Sequence, residues 1–266
     1  MTADTSRPTR VVMFGGPYLD PPALRFAAAL EAHPAVELVA ILCQATDKGW
    51  VFRLRERWRR RGVFAPLVAV REWLGSAARA LASPREAIAR RAMSRQLAPK
   101  LLTVPELHAP EVLAHVRQCQ PDLGVVYGGP ILQPALFAIP PLGTYGIHHG
   151  RVPQYRGRKT TFWEIYNGER VAGVTIQRIN AGIDTGDIIK SGEVPIGSSG
   201  YGRVERETQD LGLRLFVEAV VEARSAAAAG VAQPQHATRH YGQPKAVDFL
   251  RLWLRVLRRR LGLPSP

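Results

Sequence analysis

Residues Arg10 to Phe14 form a short apolar run that stops at Gly15-Gly16-Pro17, and Pro21 to Ala32 then places Leu24, Ala27, Ala28 and Leu30 near helical spacing. The pattern predicts a strand, a glycine turn and a helix. Val36 to Cys43 (VELVAILC) and Leu123 to Tyr127 (LGVVY) are β-branched and apolar throughout, as buried strands are, and a helix is predicted around Pro110 to Gln118 between them. Strands alternating with helices imply a mainly parallel sheet flanked by helices, a Rossmann-like α/β fold whose sites lie beyond the carboxyl ends of the strands.

Further along, a strand is predicted over Thr144 to His148, running into His149-Gly150 and a loop that ends Tyr155-Arg156-Gly157. A helix around Thr161 to Asn167, a strand Gly173 to Ile179, a turn through Asn180-Ala181-Gly182 and a strand from near Asp187 follow. Glu205 to Ala229 reads as one long helix with Leu211, Leu215 and Val217 to Val221 on its buried side. Residues 50–101 interrupt the alternation with mostly helical, Arg-rich sequence, an insertion after the second strand. The expected organisation is a catalytic-type domain over 1–200 carrying that insertion, then a C-terminal helix and tail over 201–266.

Charge changes this picture only locally. The chain of 266 residues carries +14, of which +9 comes from twelve Arg against three Glu between Trp50 and Gln96, and the other +5 from Lys245 onward. The rest is neutral, so two basic appendages sit on an ordinary domain. The tail from Asp248 to Leu261 sets Phe249, Leu250, Trp253, Leu254, Leu257 and Leu261 along one helical stripe, opposite most of the Arg. That suits a helix lying on anionic lipid. The alternatives are a plain solvated face, and phosphate or nucleic-acid binding by Arg53 to Arg61 with stacking by Trp50, Trp58 and Trp73, which is weaker than the lipid reading because nothing resembles an RNA-binding module. With no long apolar run and a polar start, a cytoplasmic protein is expected, peripheral to the inner face of the membrane if the tail binds there. Cys43 and Cys119 are too few and too isolated for a disulfide framework or a zinc site, and no metal is expected.

The candidate chemistry centres on His148, at the end of one strand, and Asp184, in Gly182-Ile-Asp-Thr-Gly186. An imidazole beside a carboxylate can share a proton and stabilise charge developing on a carbonyl oxygen. By spacing alone, His148 is equally a loop-edge histidine, and Asp184 a turn residue bonded to its own backbone.

The run Gly143-Thr-Tyr-Gly-Ile-His-His-Gly-Arg-Val-Pro-Gln-Tyr-Arg-Gly157, then Gly173-Val-Thr-Ile and Gly182-Ile-Asp-Thr-Gly186, resembles the formyltransferases that use 10-formyltetrahydrofolate. Their pattern is Asn-x-His, a Leu-Pro-x-Tyr-Arg-Gly-type loop, Gly-Val-Thr and Ile-Asp-Thr-Gly. Val12-Met-Phe-Gly-Gly-Pro17 and Leu38 to Gln44 with Asp47 are similar to the opening of the methionyl-tRNA and sugar N-formyltransferases. The resemblance implies His148 as the group that stabilises the tetrahedral intermediate, with Asp184 positioning it and assisting proton transfer from the attacking amine. The family's Asn falls at Gly146, which has no side-chain donor; His149, Lys159 or a water would have to replace it, or the domain is a catalytically reduced binding or scaffold protein. Folate is expected at Tyr127, Gly128, Gly129, Pro130, Ile131 and Leu132 with Ile183, and the acceptor at His149, Gly150, Tyr155, Arg156, Gly157 and Lys159. The implied partners are folate and a small amine, and a homodimer is allowed. The Gly15 to Asp20 loop does not match a glycinamide ribonucleotide site, and the stretch past Gly200 leaves no room for the barrel of the tRNA enzyme. An amino sugar on a nucleotide or lipid carrier is the expected acceptor.

Overall fold

The computed structural model describes residues 7–16, 19–45, 84–197, 200–234 and 239–260. Most of the Arg-rich insertion, with Arg53 to Arg61, Trp50, Trp58 and Trp73, therefore lies outside the described residues.

Seven strands form one sheet in the order β3-β2-β1-β4-β5-β7-β8. They are β1 (Thr9–Gly15), β2 (Val36–Gln44), β3 (Leu101–Val104), β4 (Leu123–Tyr127), β5 (Thr144–His148), β7 (Val171–Arg178) and β8 (Ile188–Pro195). The first five run parallel, whereas β7 and β8 are antiparallel to their neighbours. A second, two-stranded sheet pairs β6 (Arg156–Gly157) with β9 (His240–Tyr241). The helices are α1 (Pro21–Glu31), α2 (Pro84–Leu97), α3 (Pro110–Gln118), α4 (Pro134–Phe137), α5 (Thr160–Asn167), α6 (Tyr201–Val221) and α7 (Ala246–Arg260).

The central strands are apolar on both faces because both faces are covered. Val11 and Met13 of β1 join the core beneath α1 and α6, with Phe26, Leu30, Phe216 and Val220. Val12 and Phe14 join a second core beneath α3 and α4, with Val112, Val116 and Leu136. Each such side chain contributes about 1.5 to 3 kcal/mol by leaving water, so the sheet centre is the rigid part on which a site can be built. Asp20 caps α1, its side chain accepting from the Ala23 N–H at 3.0 Å. Asp122 ties the start of β4 to β1 and to the end of α6, accepting from Arg7, from the Arg10 N–H and from Arg224.

The predicted strands are present to within a residue or two at each end. The predicted helix over 205–229 differs: α6 begins at Tyr201 and ends at Val221, followed by a short 3-10 turn at Ala226–Ala229. The edge strand β3 and the β6–β9 pair were not expected, since Leu101 to Val104 is four residues at a sheet edge and β9 is two.

Candidate active site

The carboxyl ends of β1, β4 and β5 lie side by side, with Gly15 opposite Tyr127 and Val126 opposite Gly146. His148 ends β5 and is buried. Across the antiparallel seam Gly146 pairs with Gln177 and His148 with Thr175, so Gln177 lies on the same face of the sheet as Gly146. Beyond β7 the chain turns back through residues 180–186 and delivers Asp184, whose φ of 54° is left-handed, a conformation that asparagine and aspartate tolerate better than most residues.

His148 Nδ1 lies 3.4 Å from Asp184 Oδ1 in an ion pair, and His148 Nε2 lies 2.7 Å from the Tyr155 carbonyl oxygen. A carbonyl oxygen can only accept, so Nε2 carries a proton, and Nδ1 faces a carboxylate. Burial alone would push the imidazole down; the contact with Asp184, its charge and the Tyr155 carbonyl outweigh burial and raise it. Asp184 moves the other way. Burial would raise its carboxyl, but His148, the Gly157 N–H at 2.9 Å and the Gln177 amide at 3.1 Å bring it below its ordinary value. Each partner thus favours the charged form of the other.

Behind Asp184 runs a chain of buried amides. The Gln177 oxygen accepts from Gln233 Nε2 at 3.1 Å, which also donates to the Gly186 carbonyl, and Arg156 donates to Gln233 Oε1 at 3.0 Å. Gly157 has a φ of 109° and sits where any Cβ would strike the backbone of Tyr241, so only glycine lets β6 pair with β9 beside Asp184. Glu164, fully buried on α5, accepts from the N–H groups of Arg151 and Gly173 and lies 3.3 Å from the Arg151 guanidinium. Burial nonetheless pushes its carboxyl up to about 7.

Two clefts open from this centre. One, of about 280 Å³, is lined by Gly128 to Leu132, Gly146, Gln177, Ile179, Ile183 and Asp184. The other, of about 340 Å³, is lined by Asp20, Tyr127, His149, Lys159, Thr160, Thr161, Tyr201, Glu205, Thr208 and Gln209. Gly128, Ile147, His148 and Gly157 border both.

This arrangement sorts the residues singled out in the sequence. Gly128, Gly129, Pro130, Ile131, Leu132 and Ile183 share the first cleft with Gly146, His148 and Asp184. Tyr127 does not join them. Its side chain points to the opposite face, packed near Phe26 and Phe216, and reaches the second cleft instead, as strand alternation requires. His149 and Lys159 line the second cleft, away from Gly146, so neither stands where the family's Asn would. His149 is neutral, because burial and the charge of His148 push it down to about 4. Gly150, Tyr155 and Arg156 line neither cleft: the Gly150 carbonyl accepts from Thr175, Tyr155 stacks on Tyr241, and Arg156 is spent on Gln233. Gln177, Gln233 and Glu164 were missed. A glutamine ending the apolar run Gly173-Val-Thr-Ile was the available signal for the first; Gln233 and Glu164 acquire meaning only through contacts far away in the chain.

The space beside Gly146 is filled. A Cβ there would lie 2.6 Å from Ile179 Cδ1 and 3.1 Å from Val126 Cγ1. Ile179 thus occupies the volume that a side chain at position 146 would need. Among the described residues there is no group of three or more His, Cys, Asp or Glu able to hold a metal ion.

Two clefts thus share the His148–Asp184 pair at the carboxyl edge of a mostly parallel sheet, the place where such sheets hold their ligands. The chain belongs to the formyl transferase family, whose profile matches residues 55–220, more than half of its length. It is 40% identical over 98 residues to a methionyl-tRNA formyltransferase of Geobacter metallireducens, covering 36% of this chain and 32% of that protein. It is 32% identical over 160 residues to that of Koribacter versatilis, covering 57% and 51%. The aligned part thus spans about a third to a half of these relatives' length. Among solved structures, a sugar N-formyltransferase from Shewanella shares the fold with a TM-score of 0.56 at 16% identity, over 88% of this chain and 76% of that one.

Proposed function

We propose that this protein transfers a formyl group from 10-formyltetrahydrofolate to the primary amine of a small acceptor, an amino sugar on a nucleotide or lipid carrier. The observation that carries the proposal is the position of His148, bordering both clefts and ion-paired to Asp184.

The first cleft fits the folate. The bare backbone of Gly128 and Gly129 admits a flat ring, and the exposed side chains of Ile131 and Ile183 offer it apolar walls. Bound there, the folate supplies an electrophilic formyl carbon that exchanges its bond to nitrogen for one to the acceptor amine. His148, charged and fixed, donates through Nε2 to negative charge developing on the formyl oxygen once the Tyr155 carbonyl yields its place. Asp184, kept ionised, takes the proton that the amine loses and passes it to the folate nitrogen as the bond from that nitrogen to the formyl carbon breaks. In the second cleft, hydroxyls of Thr160, Thr161, Tyr201 and Thr208, the Gln209 amide and two carboxylates suit a hydroxyl-rich amine. Lys159 is ion-paired to Glu205 at 3.0 Å, which favours a neutral sugar ring in this part of the cleft over a phosphate.

Gly146 supports a second reading, a folate-binding protein with reduced turnover, because Ile179 fills the place of a side-chain donor. Formyl transfer from 10-formyltetrahydrofolate to a panel of amino sugars and simple amines, with His148→Ala as control, separates the two. Turnover of an amino sugar that the control lacks supports the enzyme; folate binding with no acceptor formylated supports the second reading.

A further inference from the structure

Helix α7 carries two apolar stripes, and the body of the protein uses one. At 100° per residue, Phe249, Leu252 and Val256 share one face, while Leu250, Trp253, Leu254 and Leu257 form an adjoining stripe about 100° wide. The first face is packed through Leu252, 4% exposed, and Val256 on the same cluster, while Phe249, itself 41% exposed, lays its ring 4.6 Å from that of Phe162. On the second face Leu250 is 57% exposed, Trp253 60% and Leu254 44%. Arg251 and Arg258 are exposed on the flank of this stripe, and Arg255 beyond them donates to the Tyr166 carbonyl and covers the Tyr166 ring.

The anchorage of α7 leads back to the acceptor cleft. Strand β9, paired with β6 beside Asp184, precedes the helix by four residues, and Trp163 Nε1 donates to the Gly242 carbonyl between them at 2.9 Å. Helix α5, which packs beneath α7 through Phe162 and Tyr166, begins with Thr160 and Thr161 of the acceptor cleft. Tyr201, another residue of that cleft, lies 6.2 Å ring to ring from Phe249.

We propose that α7 docks on an anionic lipid bilayer through the Leu250–Trp253–Leu254–Leu257 stripe and its arginines, and so holds the acceptor cleft at the surface where lipid-carried amines lie. The chemistry selects this occupant over two others. A second copy would bring the same charge against itself, since the sequence from Lys245 onward holds one lysine and five arginines against the single acidic residue Asp248. A nucleic acid would satisfy the arginines and leave the apolar stripe in water. A bilayer with acidic headgroups takes both at once, acyl chains against the stripe and phosphates against the arginines. The choice of a lipid carrier over a nucleotide carrier rests on the formyl-transfer reading above; the docking itself does not.

Sedimentation of the full chain with vesicles of phosphatidylglycerol and phosphatidylcholine tests the docking. The wild type is expected to pellet with these and not with phosphatidylcholine alone. The triple variant Leu250→Ser, Trp253→Ser, Leu257→Ser is expected to lower the partition at least tenfold, and Arg251→Glu with Arg258→Glu to remove the preference for the acidic lipid. All these positions are outside the packed face, and circular dichroism and folate binding, both unchanged, report an intact body. Equal pelleting of wild type and triple variant overturns the proposal, as does a stripe-dependent dimer in light scattering, or retention of RNA without retention of vesicles. For the carrier, the same amino sugar is offered on a polyprenyl phosphate in these vesicles and on a soluble nucleoside diphosphate. The triple variant is expected to lose turnover of the first at least tenfold and keep the second; loss of both or neither overturns the surface role. Absence of any turnover with intact vesicle binding counts against the formyl-transfer reading alone.

Discussion

His148 and Asp184, 36 residues apart in the chain, meet across 3.4 Å as an ion pair, with the far nitrogen of the imidazole held by the Tyr155 carbonyl. Replacing either partner leaves the other buried and without its opposite charge, so the two are coupled in both protonation and position. His148→Asn and Asp184→Asn are each expected to lower kcat by about 10² to 10⁴, with folate affinity little changed, measured by steady-state formyl transfer and ligand fluorescence.

The pair sets the pH dependence. The raised His148 contributes stability that is complete below its ordinary 6.5 and is lost as pH rises through its folded value. The lowered Asp184 contributes stability present above 3.8 and lost as pH falls through its folded value. Activity is expected to fall on the alkaline side as the imidazolium is lost. His148→Asn should flatten the alkaline side of a Tm-against-pH curve, and also shrink the acid side, because Asp184 loses the partner that lowers it.

Gln177 positions Asp184. Its amide donates to the carboxylate while its oxygen is held by Gln233. Gln177→Ala is expected to reduce kcat about ten- to a hundredfold, the range of one hydrogen bond to a charged group. A merely structural role would leave the pH profile in place; loss of this donor should move its acidic limb upward.

Ile179 makes the absence of a side chain at 146 testable. Gly146→Asn alone has to displace Ile179 and Val126 and is expected to cost about 1 to 3 kcal/mol of stability. Combined with Ile179→Ala it gains room for an amide on the donor side of the cleft. The double variant is expected to exceed the wild type in kcat at least tenfold, since one such donor is worth about 2.7 to 4 kcal/mol in comparable sites. A double variant no faster than the wild type would show that the existing groups already hold the formyl oxygen.

Glu164 adds a separate pH signature. With its folded value raised from 4.5 to about 7 by burial, the native state keeps a proton that the unfolded chain gives up, so stability declines as pH rises through that window. Glu164→Gln retains an oxygen for the Arg151 and Gly173 N–H groups and is expected to show a smaller fall in Tm between these two values.

The local pattern of the chain determined the strands and the class of fold, because a parallel sheet covered on both faces needs continuous apolar runs such as Val11 to Phe14 and Leu123 to Tyr127. The motif order points to His148 and Asp184 but carries no information about their contact. Which residues surround that pair was decided by tertiary structure, since a hydrogen bond depends on side-chain direction and distant neighbours. Strand alternation sent Tyr127 to the second cleft, the β5–β7 seam set Gln177 opposite Gly146, and Ile179 closed the space there. The same division holds for α7. Its amphipathic character is written in the spacing of its leucines, but one helix can turn several apolar faces toward its body. Packing chose Leu252 and Val256, and left Leu250, Trp253 and Leu254 facing outward.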